Sequence, residues 1–221
     1  MVSKIFKNLE TNVWLAENIY HLKTGTDRIS KLLYQYEIYK KILKLPGDVV
    51  ECGVFKGASF VRFLTFRFNL ESQLKRKIYG FDVFGKFPAA QNKFDKKFLK
   101  KWEKNAGDGI LKQELNILLK KKHFKNFQLI KGEVQKTIPK FLKKNNIKIS
   151  LLHLDMDVYE PTKFVLDNLF SKIVKGGIIL IDDYQTVYGA TKAIKEFLKK
   201  NKKLKIQKLR FNSVPWFIIK K

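Results

Sequence analysis

Val49-Val50-Glu51-Cys52-Gly53-Val54-Phe55-Lys56-Gly57-Ala58-Ser59 decides how the rest of this chain is read. A β-branched pair runs into a glycine, a second glycine follows four positions later, and an amphipathic stretch begins at Ala58. That order is a strand, a tight turn and the start of a helix. Gly53 permits close backbone approach and Gly57 lets the helix pack on the strand. The unpaired N–H groups of the first helical turn, with the Ser59 hydroxyl, suit a carboxylate. The turn lacks the G-x-G-x-x-G of a dinucleotide site and the Lys-Ser/Thr ending of a phosphate-binding loop, so neither class is indicated. Taken alone, Glu51 and Cys52 read equally well as a strand-end acid and a small buried hydrophobe.

Outward from this stretch, short β-branched runs alternate with longer amphipathic ones. The pattern predicts an α/β fold with a Rossmann-like, seven-stranded, mostly parallel sheet and helices on both faces. Strands are expected at 48–52, 77–82, 127–131, 149–155, 177–182, 205–210 and 214–219. The last two are joined by Phe211-Asn212-Ser213, too short for a crossover, so the terminal strand should be antiparallel. Residues 1–46 read as an N-terminal helical cap: Leu32, Leu33, Tyr36, Ile38, Tyr39 and Ile42 recur near helical spacing after a capping candidate at Thr26 or Asp27, and Pro46-Gly47 stops the helix. Residues 47–221 then form the main domain. Its segment 88–122 is Lys-rich, helical, broken at Asn105–Gly109 and too long for an ordinary connection, so it should cap the sheet edge.

The chemistry-bearing residues fall at successive strand ends, where ligands of open α/β sheets bind. Asp82 closes the second strand and could accept both hydroxyls of a ribose or cap the segment after it. Gly132, Glu133, Val134 and Gln135 follow the third. In a chain with only 20 carboxylates, His153-Leu154-Asp155-Met156-Asp157 ends one apolar strand and Asp182-Asp183 ends the next. Acids that close raise one another's pKa or recruit a cation, and an all-oxygen set points to Mg²⁺, Mn²⁺ or Ca²⁺. Helix capping is the alternative, since both acid pairs precede helices. Strand alternation would put His153, Asp155 and Asp157 on one face.

Composition limits the partners. Lys and Arg number 46 against 20 acids, a net charge of +26, yet only five of the 46 are Arg. Nucleic-acid readers rely on Arg forks, so lysine spread over solvated helix faces competes with a polyanion surface as the meaning of the charge. The single cysteine, Cys52, implies a reducing compartment, and no leader or membrane-length apolar run is present, so a cytoplasmic protein away from membranes is expected.

The order VVECGVFKGAS, YGFDVFGKFP, LLHLDMDVYEPT, GGIILIDDY and GATKAIKEF, from Thr26 to Phe197, resembles class I S-adenosylmethionine-dependent methyltransferases of the macrocin O-methyltransferase type, and more distantly catechol O-methyltransferase. The resemblance implies O-methylation of a small hydroxylated substrate, most simply a sugar, with S-adenosyl-L-methionine and Mg²⁺ or Mn²⁺ as cofactors. No nucleic acid is expected as partner, and a homodimer is one expected assembly. It further implies that Glu51, Gly53, Gly57 and Ser59, with Phe55 in the same turn, hold the methionine part, Asp82 the ribose, and Gly132 to Gln135 the adenine. Asp155, Asp182 and Asp183 would hold the metal, with Asp155 also touching the cofactor. The catechol enzyme's lysine base corresponds to Val158 here, which leaves Asp155, Asp157 or His153 as proton acceptor.

Overall fold

A computed structural model describes residues 12–211 and 215–221. Helices α1 (Val13–Lys23) and α2 (Thr26–Lys41) precede β1 (Asp48–Cys52), α3 (Ala58–Leu70) and β2 (Ile78–Asp82). After these come α4 (Lys93–Ala106), α5 (Lys112–Lys121), β3 (Phe127–Lys131), α6 (Val134–Lys144), β4 (Ile149–Leu154) and α7 (Tyr159–Leu169). The chain closes with β5 (Ile173–Ile181), α8 (Tyr188–Lys200), β6 (Ile206–Gln207) and β7 (Trp216–Ile219).

The strands form one sheet in the order β3-β2-β1-β4-β5-β7-β6, parallel except where β7 pairs antiparallel with β5 and β6. The expected fold class is therefore observed. Parallel strands covered on both faces must be apolar on both faces, and β4 is buried at all six positions. Val50, Cys52, Phe81, Leu152, Leu154 and Ile181 pack with Val134, Ile138, Val165 and Ile194 of α6, α7 and α8. Alternate residues Val49, Ile78, Leu151 and Leu180 pack on the opposite face with Tyr34, Ile38, Phe60, Phe63 and Leu115 of α2, α3 and α5. Helix α2 is thus anchored in the same core as the sheet.

Several boundaries shift for physical reasons. Strand β4 stops at Leu154 because the chain turns away there, reaching a left-handed φ of +64° at Asp157. Strand β5 begins four residues earlier than its Lys-Gly-Gly sequence suggests: Gly176 adopts φ +78° and pairs with Lys220, so pairing continues through an irregularity. The edge strand β6 keeps only two residues. Thr26 is already helical, with Gly25 at the capping position and no side-chain cap. Asn212 and Ser213 of the expected hairpin link lie outside the described residues.

Segment 88–122 forms two helices broken at Gly107, as expected. It is pinned over the carboxyl edge of the sheet. Lys56 donates to the Ala106 carbonyl, Ile110 N–H bonds the Phe55 carbonyl at 2.9 Å, and the buried Asp95 carboxylate accepts the Tyr159 N–H at 2.9 Å. Strand β1 is where the sheet order reverses, with β2 on one side and β4 on the other. This switch point opens the crevice in which ligands of such sheets sit.

Candidate active site

The crevice is a cavity of about 630 Å³, within the range of about 300–1,000 Å³ usual for small-molecule sites. It runs from Gly132–Gln135 past Asp82 and the Gly53 turn to Asp155, Asp157, Asp182 and Asp183, roofed by Phe87–Gln91, Phe98 and Trp102. Gly53 has φ +93°, and a Cβ there would lie 1.8 Å from the Asp155 carbonyl oxygen, so only glycine fits. Asp155 N–H in turn bonds the Cys52 carbonyl at 2.9 Å.

Asp82 lines the cavity but also staples the turn: Oδ2 accepts the Val54 and Phe55 N–H groups at 2.8 and 2.9 Å, and Oδ1 accepts Phe84 N–H at 2.6 Å. No helix follows it, so it is not a helix cap. Phe55, Ser59, Gly132, Glu133, Val134 and Gln135 line the cavity. Gly57 does not. Its φ of +86° ends the turn, and its missing side chain makes room for Leu115 of the cap helix α5, in place of the helix-on-strand packing expected of it.

Glu51 and His153 also sit differently from the sequence reading. The parallel register pairs them across β1 and β4, and both are fully buried beneath the cavity. Glu51 accepts from the Ser59 hydroxyl and lies 3.0 Å from His153 Nδ1, while His153 Nε2 lies 3.7 Å from Asp182 Oδ1. Burial pulls the imidazole pKa down, but Asp182 and Glu51 outweigh it and hold it at about 9. A cation outside the cavity is a poor proton acceptor. His153 supports the site as a buried positive charge, and Glu51 reaches the ligand space only through Ser59.

The acids do converge. Asp155 and Asp157 lie beyond the end of β4, so loop geometry and not strand alternation presents them. Neither pair caps a helix, since Val158 and Val187 occupy the capping positions without side-chain bonds. Asp183 Oδ2 instead accepts the Asp157 N–H at 3.1 Å. Burial, then repulsion from Asp182, lifts Asp155 to about 6; burial, then Asp155 and Asp182, lifts Asp157 to about 7. Burial and Asp157 likewise raise Asp183. Asp182 goes the other way, to about 2, because Lys31 and His153 overcome its burial.

Lys31 was not singled out from the sequence. It reaches down from α2, donates to Asp182 Oδ2, and stands 3.7 Å from Asp155 Oδ2. Its only sequence signal is a charge on the inward face of an amphipathic helix.

The donor set fits a hard cation. One ligand atom each from His153, Asp155 and Asp182 lies within 4.8 Å of the others, and the buried Asp182 Oδ1 and His153 Nε2 have no hydrogen-bond partner among the described residues. The protonated imidazole is unsuited to ligation, whereas the Asp155 and Asp182 carboxylates, with Asp183 adjoining, are the oxygen donors such an ion takes.

These groups also set the pH response. Relative to ordinary values of 6.5 for His153 and 3.8 for the aspartates, the folded state holds extra protons on His153 up to about pH 9 and on Asp155 and Asp157 up to about pH 6–7. Stability from these groups is therefore fully present only below about pH 4, falls as Asp155 and Asp157 ionise toward pH 7, and falls further as His153 deprotonates toward pH 9. Without divalent cations, the melting temperature should fall steadily from pH 5 to pH 9; a flat or rising profile would refute this charge assignment.

A family model for macrocin O-methyltransferases (TylF) matches residues 17–216. The chain belongs to that family. One relative of this macrocin O-methyltransferase family member is the 8-demethyl-8-(2,3-dimethoxy-alpha-L-rhamnosyl)-tetracenomycin-C 4′-O-methyltransferase of Streptomyces olivaceus. It is 27% identical over 177 residues, which span 76% of this chain and 64% of that protein. The match thus covers less than two thirds of the relative's length. Among solved structures, the O-methyltransferase NovP superposes with a TM-score of 0.74 at 20% identity, covering 87% of this chain and 80% of NovP, a likeness of fold. CalS11, a TDP-rhamnose 3′-O-methyltransferase of calicheamicin biosynthesis, gives 0.67 at 25% identity over 98% of this chain and 90% of its own.

Proposed function

We propose that the protein is an S-adenosylmethionine-dependent O-methyltransferase that uses a hard divalent cation and methylates a hydroxyl of a sugar or glycosylated small molecule. The observation that carries this reading is the juxtaposition of the glycine turn with the acid cluster inside one cavity, joined at the Gly53–Asp155 contact. The methyl donor would lie along the turn, its adenosine toward Asp82 and Gly132–Gln135, its carboxylate toward the first turn of α3 with Arg28 and Arg62 nearby on the cavity wall. Bound there, it supplies an electrophilic methyl group on a sulfonium. Asp155, Asp182 and Asp183 would hold the cation, which supplies Lewis-acid polarisation of an acceptor hydroxyl.

The chain's own residues do the rest. Asp157 faces the cavity, and burial with the neighbouring acids raises its carboxylate above the ordinary aspartate value, which strengthens it as an acceptor of the hydroxyl proton. Asp155 is the less suited acceptor because its carboxylate is one of those that would hold the cation. Phe87, Phe98 and Trp102 exclude water from the reacting atoms.

Methylation of RNA or another polyanion is the second reading, favoured by the +26 charge. The arginines weigh against it. Arg67 and Arg76 are buried and hold backbone carbonyls, and Arg28 and Arg62 line the cavity, so among the five arginines only Arg210 is left exposed elsewhere and no Arg-rich track remains. Among the described residues, no helix is long and apolar enough to cross a membrane.

Calorimetric titration with S-adenosylmethionine, followed by methyl-incorporation assays on sugar-nucleotide and glycoside pools before and after chelation, tests the proposal. Micromolar cofactor binding that survives chelation, with turnover lost and then restored by Mg²⁺ or Mn²⁺, is the expected result. Full activity after exhaustive chelation removes the cation. Incorporation into RNA alone, with affinity falling by orders of magnitude between about 50 and 200 mM salt, promotes the second reading.

A further inference from the structure

Five carboxylates, from Glu51, Asp155, Asp157, Asp182 and Asp183, are gathered at the ends of β1, β4 and β5, and two cations, Lys31 and His153, stand among them. The two differ in freedom. His153 is fully enclosed, its ring 5.3 Å from that of Phe63. Lys31 rides on a helix fixed by buried Tyr34, Ile38 and Tyr39, but its side chain borders the cavity and has open volume to enter. Its ammonium touches the same two carboxylates, Asp155 and Asp182, that a hard cation would take. A magnesium ion needs its oxygens at about 2.0–2.1 Å with little tolerance. An ammonium bonded to Asp182 Oδ2 and 3.7 Å from Asp155 Oδ2 holds one oxygen of each carboxylate and sets its positive charge against the ion.

We propose that Lys31 is the resident counter-cation of the acid cluster and is displaced into the cavity when a divalent cation enters, so that this N-terminal helix sets the cation affinity of the site. The inference rests on the cation reading given above. It follows from charge balance. With Lys31 in place, Asp182 is neutralised and the cation-free site stays folded, and the entering ion must compete with the ammonium for two of its oxygens. The long, unbranched lysine stem makes the exchange local, with α2 itself staying in place.

Direct Mn²⁺ titration of cation-free wild type and Lys31→Met, followed by electron paramagnetic resonance, tests this without recourse to activity. Removing the competitor should tighten Mn²⁺ binding at least tenfold, and Mn²⁺ should raise the melting temperature of the variant more than that of the wild type. A second measurement uses only wild type. Amine acylation read by mass spectrometry should find Lys31 protected in the cation-free protein and several-fold more reactive with saturating Mg²⁺, while the surface lysines do not change. Wild-type binding with equal or weaker affinity in Lys31→Met overturns the proposal and leaves the cation reading standing. Absence of Mn²⁺ binding in both proteins overturns both. If Lys31→Met does not fold, the acylation result decides alone, and unchanged protection of Lys31 with Mg²⁺ refutes displacement.

Discussion

An Asp157→Asn variant should lose about two to four orders of magnitude in kcat, the usual worth of a positioned general base, while keeping its fold and its affinity for the methyl donor. Asparagine preserves the backbone N–H that Asp183 accepts, so the loop should hold its shape. The pH profile supplies an independent readout. A base acts only when deprotonated, so wild-type kcat should climb with pH through the ionisation of this carboxyl, which burial and then Asp155 and Asp182 raise above the ordinary aspartate value. The variant should lack that ionisation. A variant within threefold of wild type, with the same profile, would move the base to Asp155.

The second large effect is on stability. Asp182 is the meeting point of two cations, the fully buried His153 and the partly buried Lys31. Asp182→Ala leaves them facing each other with reduced compensation, and stripping one partner from a buried ionic group costs about 3–5 kcal/mol. For a domain of this size that is a fall in melting temperature on the order of 10 °C. Adding Lys31→Met to the same chain should recover part of the loss, because the two sites share one interaction and their effects cannot add. A fall under about 2 °C for Asp182→Ala alone, read by calorimetry, would show that the carboxylate is not the keystone of the network.

The sheet was legible in the sequence because the strands other than β6 are short, mostly apolar runs ended by glycine, proline or acids, and parallel strands buried on both faces leave little else to read. Strands β1 and β3 fall where the pattern put them. The early start of β5 was hidden, since Val174-Lys175-Gly176 carries no apolar run before the strand expected from Gly177, and only the pairing of Ile173 with β4 and of Gly176 with Lys220 keeps this segment in the sheet. Strand ends located the cavity, because acids at the carboxyl edge of an open sheet have few other reasons to cluster. What the sequence did not disclose was the layer below. Glu51 and His153 became partners through register, a relation between strands about a hundred residues apart; two polar residues on adjacent, otherwise apolar strands were the available sign. Lys31 gave still less, being one lysine among dozens until α2 docks.

The contact between Gly53 and the Asp155 carbonyl has a consequence for how such a protein could change its chemistry. The platform for the methyl donor and the platform for the receiving hydroxyl are, at that point, a single piece of backbone with no slack between them. Tolerance to variation must then lie elsewhere, in the overhanging segment from Phe87 to Trp102, whose side chains touch the ligand space yet belong to no strand. A designer seeking a new acceptor should redraw that overhang and leave the platform alone, since a displacement of one half would carry the other with it.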